Sequence, residues 1–168
     1  PAGVDQVTQV YLGLGSNIDP ERNLRLGVEE LRRHYGELVI SNTYRNAAVG
    51  FEGDDFLNLV VGFDSVEEPL GIQRQIEAIH AKSGRRRGAD KFASRPLDID
   101  LLLYGDLVID EPPLRLPRSD VLEYDFVLRP LAEIAPELVH PVTGRTMQDH
   151  WQECDTAGHP MARVDVIL

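Results

Sequence analysis

RPLDIDLLLY, residues 95–104, is the stretch on which the fold turns. From Pro96 to Tyr104 it is the most strand-like apolar run in the chain, interrupted only by Asp98 and Asp100. Successive side chains of a strand point to opposite faces, so Leu97, Ile99, Leu101 and Leu103 are expected on one face and the two aspartates on the other. The carboxylates would lie roughly 6.5 to 7 Å apart along the strand. Hard cations want oxygen ligands, and phosphate oxygens can complete their shells, so a carboxylate pair on a rigid strand suits one or two Mg2+ ions. Taken alone, Asp-x-Asp reads first as the polar face of a half-exposed strand, and its neighbours decide.

Those neighbours are basic. The chain carries a formal net charge of -11, which disfavours nucleic acid as a partner, yet Arg85, Arg86, Arg87, Lys91 and Arg95 are crowded just upstream. A charge run by itself is a solvated loop. Here Arg95 stands three residues before Asp98, so cations and candidate metal ligands must lie side by side. Phosphoryl transfer needs metal to bridge phosphate oxygens, guanidinium groups to neutralise charge, and alignment of nucleophile with leaving group. Arg85, Arg95, Asp98 and Asp100 are therefore the candidate catalytic residues. A long glycine-bounded loop of this kind could close over substrate and exclude water. Gly13-Leu14-Gly15 lacks the third glycine of a dinucleotide site, and no Gly-x-x-x-x-Gly-Lys loop exists, so these glycines read as turn formers.

Outward from this strand the pattern is regular. Val7 to Leu14 reads as a buried strand entering a turn at Gly13 to Asn17. Asp19 is a plausible helix cap with Pro20 at the first helical position, and Leu24, Val28 and Leu31 recur at helical spacing. Leu38 to Tyr44 and Phe56 to Phe63 read as two strands of a long hairpin joined through Val49 to Asp55. Pro69 to Lys82 carries Leu70, Ile72, Ile76 and Ile79 and stops at Gly84, an expected C-terminal cap. Leu107 to Ile109 and Leu114 to Leu116 read as short extended pieces, and Val127 to Ile134 as a last helix before Pro136. This order predicts an α+β fold with a ferredoxin-like split βαβ core: an antiparallel sheet, helices mainly on one face, and mobile loops over the site. Phe56 and Asn58, two apart on one strand, would offer an aromatic plane beside an amide, which suits a flat heteroaromatic ring.

With 168 residues the chain fits one domain, 1–168, whose last part, 136–168, is a weakly patterned tail. A hydrophobic share of 42% and a charged share of 27% are ordinary globular values and exclude disorder and fibrous repeats. No run is long enough for an apolar membrane span, and Pro1 to Val10 lacks the layout of a secretory signal, so a cytoplasmic location is expected. Cys154 is the single cysteine, which rules out an internal disulfide.

The order of motifs resembles the 6-hydroxymethyl-7,8-dihydropterin pyrophosphokinases. An early Leu-Gly-Ser-Asn is followed by Tyr44-Arg45 with Gly50, Phe56-Leu57-Asn58, Gly84-Arg85-Arg86-Arg87, Arg95-Pro96-Leu97-Asp98-Ile99-Asp100, and Phe126-Val127-Leu128 leading into Pro130 to Pro136. The resemblance spans roughly Tyr11 to Pro141. It implies Mg2+-dependent transfer of pyrophosphate from ATP to the pterin hydroxymethyl group, in folate biosynthesis, with AMP released. Asp98 and Asp100 match the ligands of two Mg2+ ions; Arg85, Arg87 and Arg95 match nucleotide or phosphate contacts. Phe92 stands where the family usually has a loop tryptophan. Phe56 and Phe126 match the aromatic pair that sandwiches the pterin, Asn58 reads its polar edge, and backbone groups around Asn46, Ala47 and Val49 complete the pocket. His80, Ile99, Leu114, Arg115 and Arg118 fall at nucleotide-side positions. Four places depart from the pattern: His80 replaces a helix glutamate, Arg118 a histidine, Tyr124 an arginine, and Asn46-Ala47 the usual Thr-Pro. The expected partners are ATP and a pterin, with a monomer and with no nucleic acid or membrane. The alternatives are a diverged paralogue using a related pterin, a non-catalytic pterin-binding or nucleotide-binding module, and another Asp-x-Asp transferase such as a glycosyltransferase.

Overall fold

Alternating apolar residues in Thr8–Ser16 (β1) and Phe56–Ser65 (β4) make these two strands the centre of one antiparallel sheet in the computed structural model, which describes residues 6–48, 53–84, 96–154 and 161–168. Between them come the helix Pro20–Tyr35 (α1) and the strands Val39–Ile40 (β2) and Thr43–Asn46 (β3). After β4 the chain forms Pro69–Lys82 (α2), Asp98–Tyr104 (β5), the hairpin Ile109–Glu111 (β6) with Leu114–Leu116 (β7), the helices Asp120–Glu123 (α3), Asp125–Ile134 (α4) and Met147–Glu153 (α5), and Met161–Val164 (β8). The sheet runs β5-β1-β4-β3-β8, with β2 also paired to β4. β1 and β3 are split by β4, the arrangement expected of a ferredoxin-like core.

Packing follows from the faces. Leu24, Val28 and Leu31 of α1 and Ile72, Ile76 and Ile79 of α2 join Leu12, Leu14, Leu59, Leu97 and Ile99 in one fully buried core, so the two long helices share a face. The shorter α3, α4 and α5 bury Val121, Leu128, Leu131 and Met147 against Val60, Leu102 and Leu103 on the other. No helix among the described residues is long and apolar enough to cross a membrane.

Several local expectations need correction. Leu38 to Tyr44 is not one strand: Ser41 takes the Val60 N–H on its hydroxyl (2.9 Å) and gives its own N–H to the Val60 carbonyl (3.0 Å), and the register slips between β2 and β3. Leu103 does not share a face with Leu97, Ile99 and Leu101. A bulge at Leu102, where Tyr11 pairs with Leu103 and Leu12 with Leu101, turns Leu103 to the second core. Asp19 holds the N-cap position with φ 44°, but its side chain caps nothing. Gly84, with φ 86°, ends α2 in the left-handed conformation that glycine tolerates. The tail is more ordered than its patterning suggests, since it supplies α5 and an edge strand, β8, paired to β3.

That tail contains a pH-sensitive joint. His140 is buried, and its Nδ1 accepts the N–H groups of Val142 (3.2 Å) and Thr143 (3.3 Å), a role open only to the neutral ring. Burial first, and then the nearby His150, hold its pKa below 6.5. The unfolded chain therefore binds this proton more readily, and stability falls as pH drops through 6.5 toward the depressed folded value. Thermal unfolding followed by circular dichroism should show that loss in the native chain, and a flatter profile over the same interval in His140→Asn, whose amide oxygen can accept at any pH.

Candidate active site

The site is built on the sheet face that carries α4, at the end its helices leave open. Asp98 on β5 stands directly opposite Gly15 on β1, Gly15 opposite Asn58 on β4, and Asn58 opposite Tyr44 on β3. Directly paired residues share a face, and neighbouring strands lie roughly 4.8 Å apart, so the carboxylate and the amide are separated by about 10 Å with only a glycine between them. Asp100 stands one step on, opposite Gly13, and Phe56 stands opposite Asn46.

The two glycines are therefore not turn formers. Both lie inside β1, and a Cβ at Gly15 would meet Asn58 Oδ1 at 2.6 Å and Phe56 Cδ1 at 3.7 Å, so the bare backbone is what lets the Asn58 amide lie flat across the strand. At Gly13 a Cβ would lie 3.4 Å from Leu102. Asn58 is held from its other side by Asn46, whose Oδ1 accepts from Asn58 Nδ2. Asn46 thus contributes a side chain where a backbone group was expected; Ala47 accepts the Asn46 amide on its carbonyl (3.1 Å). Phe126 is half-buried in the first turn of α4, and its ring stacks on Tyr124 with centroids 5.0 Å apart and planes 19° from parallel. Tyr44 fastens this wall to the sheet: its hydroxyl donates to Glu133 Oε1 on α4 (2.7 Å), while Glu133 Oε2 accepts the Asn42 N–H (3.0 Å). Burial, and then the Glu133 hydrogen bond, raise the Tyr44 pKa, so its hydroxyl stays protonated and keeps donating.

Asp98 and Asp100 are both half-exposed and project from β5 on this face, while Ile99 between them is 2% exposed in the opposite core. Their strand is gripped along its outer edge. His80 Nε2 on α2 accepts the Ile99 N–H at 2.9 Å, and the Arg118 N–H donates to the Leu102 carbonyl at 2.9 Å. His80 is 6% exposed, and its ring closes the edge of β5. The Ser16 hydroxyl lies within hydrogen-bonding reach of the Pro96 carbonyl, tying the end of β1 to the approach of β5. Leu114 is buried in the larger core, and Arg115 is exposed and faces Asp110 at 3.4 Å. Arg118 reaches the carboxylates, with Nη2 3.6 Å from Asp100 Oδ1 and Nε 3.1 Å from Asp120 Oδ1. Arg85, Arg87, Phe92, Arg95 and Val49 lie outside the described residues.

The donor set can be judged by its chemistry. Two carboxylates on one strand face are hard oxygen donors, and a guanidinium already lies beside one of them, so a cation is accommodated there. Among the described residues no group of three or more His, Cys, Asp or Glu could cage an ion. Mg2+ is typically held by one or two carboxylates plus waters and substrate phosphates, and the pair fits that mode. Gly15, Tyr44, Glu133 and Asp120 stand beside these residues although the sequence assigns none of them a role there. In the sequence Gly15 reads as a turn former, Tyr44 and Glu133 enter only as parts of longer motifs, and Asp120 has no signal.

Both the sequence and the fold match known proteins. The family described as 7,8-dihydro-6-hydroxymethylpterin-pyrophosphokinase (HPPK) matches residues 11–136. A 2-amino-4-hydroxy-6-hydroxymethyldihydropteridine pyrophosphokinase of Synechocystis sp. is 37% identical over 155 residues, covering 90% of this chain and 79% of the relative. The protein of the same name from Methylorubrum extorquens is 37% identical over 156 residues, covering 90% and 97%. That from Aquifex aeolicus is 34% identical over 142 residues, covering 83% and 88%. Among solved structures, wild-type Plasmodium falciparum HPPK-DHPS superposes with a TM-score of 0.70 at 14% identity, which speaks for the fold alone; the match takes in 88% of this chain and 45% of that one. The chain belongs to the 7,8-dihydro-6-hydroxymethylpterin-pyrophosphokinase family.

Proposed function

We propose that this protein transfers pyrophosphate from ATP to the hydroxymethyl group of 6-hydroxymethyl-7,8-dihydropterin, releasing AMP, as a Mg2+-dependent step of folate biosynthesis. One observation carries the reading: Asp98, Gly15 and Asn58 form a single cross-strand row, so a site for polyphosphate with its cation and a site for a flat ring lie side by side on one rigid surface. Asn58, aligned by Asn46, reads the polar edge of the pterin; Phe56 and Phe126 bound its faces. The ring's hydroxymethyl arm then points along the row toward Asp98. Backbone groups at Ala47 and Val49 complete this pocket.

Asp98 and Asp100 hold the Mg2+, whose charge offsets that of the phosphates when bound. Arg85, Arg87 and Arg95 supply further positive charge, and Phe92, Arg115 and Arg118 bound the nucleotide side, while Ile99 and Leu114 support it from the core beneath. The acceptor oxygen forms its bond to the β-phosphorus as the bond from that phosphorus to the α,β-bridging oxygen breaks. AMP leaves with the electron pair, and the hydroxyl proton passes to water or a phosphate oxygen, since no side chain stands out as a general base. Positioning carries most of the rate, as phosphoryl transfer asks little covalent chemistry of the protein.

In this reading the reaction takes place in the cytoplasm and is carried out by a monomer, with 1–168 forming one domain. The test is direct. Incubating the chain with Mg2+, hydroxymethyldihydropterin and ATP labelled in the α-phosphate should yield labelled AMP and the pterin diphosphate. Labelled ADP, or no product despite tight ternary binding of a non-hydrolysable ATP analogue, would overturn the assignment.

A further inference from the structure

Arg118 is placed oddly for a residue whose only task is to meet a nucleotide. Its guanidinium lies between two carboxylates from different elements, Asp100 on β5 and Asp120 at the start of α3. All three side chains are partly withdrawn from water, with exposures of 33% for Arg118, 28% for Asp100 and 24% for Asp120. The backbone beneath is fixed, because the Arg118 N–H donates to Leu102 on β5. The head group is held less firmly. At 3.6 Å the Asp100 contact is beyond a good hydrogen bond, and the closer contact, Nε at 3.1 Å from Asp120, is poorly aligned for one. Both contacts are ionic.

We infer that Arg118 is a resident counter-cation that holds Asp100 until a divalent ion takes it, and that Asp120 is the positioning residue that keeps Arg118 at the site during this exchange. The inference rests on the reading that Asp98 and Asp100 form the metal platform. A divalent ion on Asp100 repels the guanidinium, which must yield that carboxylate. Asp120, on a separate element, offers a second anion to which the charge can shift while the backbone stays pinned to β5. Arg118 then remains at the rim, available to a phosphate. Metal affinity in this chain is therefore set by a competition. Removing the competitor tightens metal binding, and removing its second anchor throws the guanidinium back on Asp100 and weakens it.

Mn2+ prefers the same oxygen donors and octahedral geometry as Mg2+ and can be followed by water-proton relaxation without any nucleotide. With the full chain, Arg118→Gln should bind Mn2+ severalfold more tightly than wild type. Arg118→Lys, which keeps the charge, should stay near wild type, and Asp120→Asn should bind severalfold more weakly. In an Arg118→Gln background, Asp120→Asn should have little further effect, because its influence runs through the guanidinium. Tightening is an outcome that damage to the fold does not produce. Unchanged or weaker binding in Arg118→Gln, equal tightening in Arg118→Lys, or an undiminished Asp120→Asn effect in the double variant would each overturn the exchange. Wild-type Mn2+ binding by Asp100→Ala would instead mean that the platform itself is wrong.

Discussion

Replacing Asp98 or Asp100 with alanine should lower turnover about a thousandfold at saturating ATP and pterin, with little change in folding stability. The magnitude follows from the several kcal/mol that a metal's charge is worth in a phosphoryl-type transition state, at about 1.4 kcal/mol per factor of ten. The small cost in stability follows from exposure: both side chains are half-exposed, and the core beneath them is made by Leu97, Ile99 and Leu101 on the other face. Asn at either position keeps the shape and removes the charge, so Asp98→Asn and Asp100→Asn should be nearly as slow as the alanine variants. AMP formation measured by quench and chromatography, beside a thermal melt of each variant, separates chemistry from folding. Near-wild-type rates in both alanine variants would remove the carboxylate platform, whatever the comparisons with relatives suggest.

That carboxylate pair was legible because its signal is local. A period of two inside an apolar run is enough to place both aspartates on one face, and the sheet bears it out. The helices Pro20–Tyr35 and Pro69–Lys82 were legible for the same reason, with proline at the start and glycine just past the end. What stayed hidden depends on partners distant in sequence. Nothing near Leu102 announces a bulge, which exists only because Tyr11 and Leu12 pair out of step with β5. His80 and Ile99 stand 19 residues apart, and no pattern couples an imidazole to that particular N–H. Glycine at 13 and 15 was visible, but glycine serves both for turns and for close approach, and only the cross-strand neighbours Val60, Asn58, Asp100 and Asp98 decide between them. The edge strand Met161–Val164 is too short to carry a period of its own and is strand because β3 offers it an open ladder.

Gly15→Ala should cut kcat/KM for the pterin about a hundredfold while leaving the KM for ATP and the melting temperature nearly unchanged. A methyl group 2.6 Å from Asn58 Oδ1 cannot be accommodated where it stands, so something must move, and the far end of a side chain moves more readily than backbone. The fold therefore absorbs the change cheaply, helped by the smaller entropy of alanine in the unfolded chain. The site does not absorb it. Displacing the Asn58 amide breaks its bond to Asn46 and, on the proposed reading, turns its donor and acceptor away from the ring edge. Two misaligned hydrogen bonds are worth about 2 to 3 kcal/mol, or roughly two factors of ten. Asn58→Ala should lose a similar amount on its own, and adding Gly15→Ala to it should cost little more, because both changes remove the same contact. Additive losses in the double variant would show that Gly15 acts on the neighbouring Asp98 rather than on Asn58. In that case the ATP and metal dependence of Gly15→Ala would shift along with its acceptor constants, and the glycine would be a spacer for the phosphate end of the row.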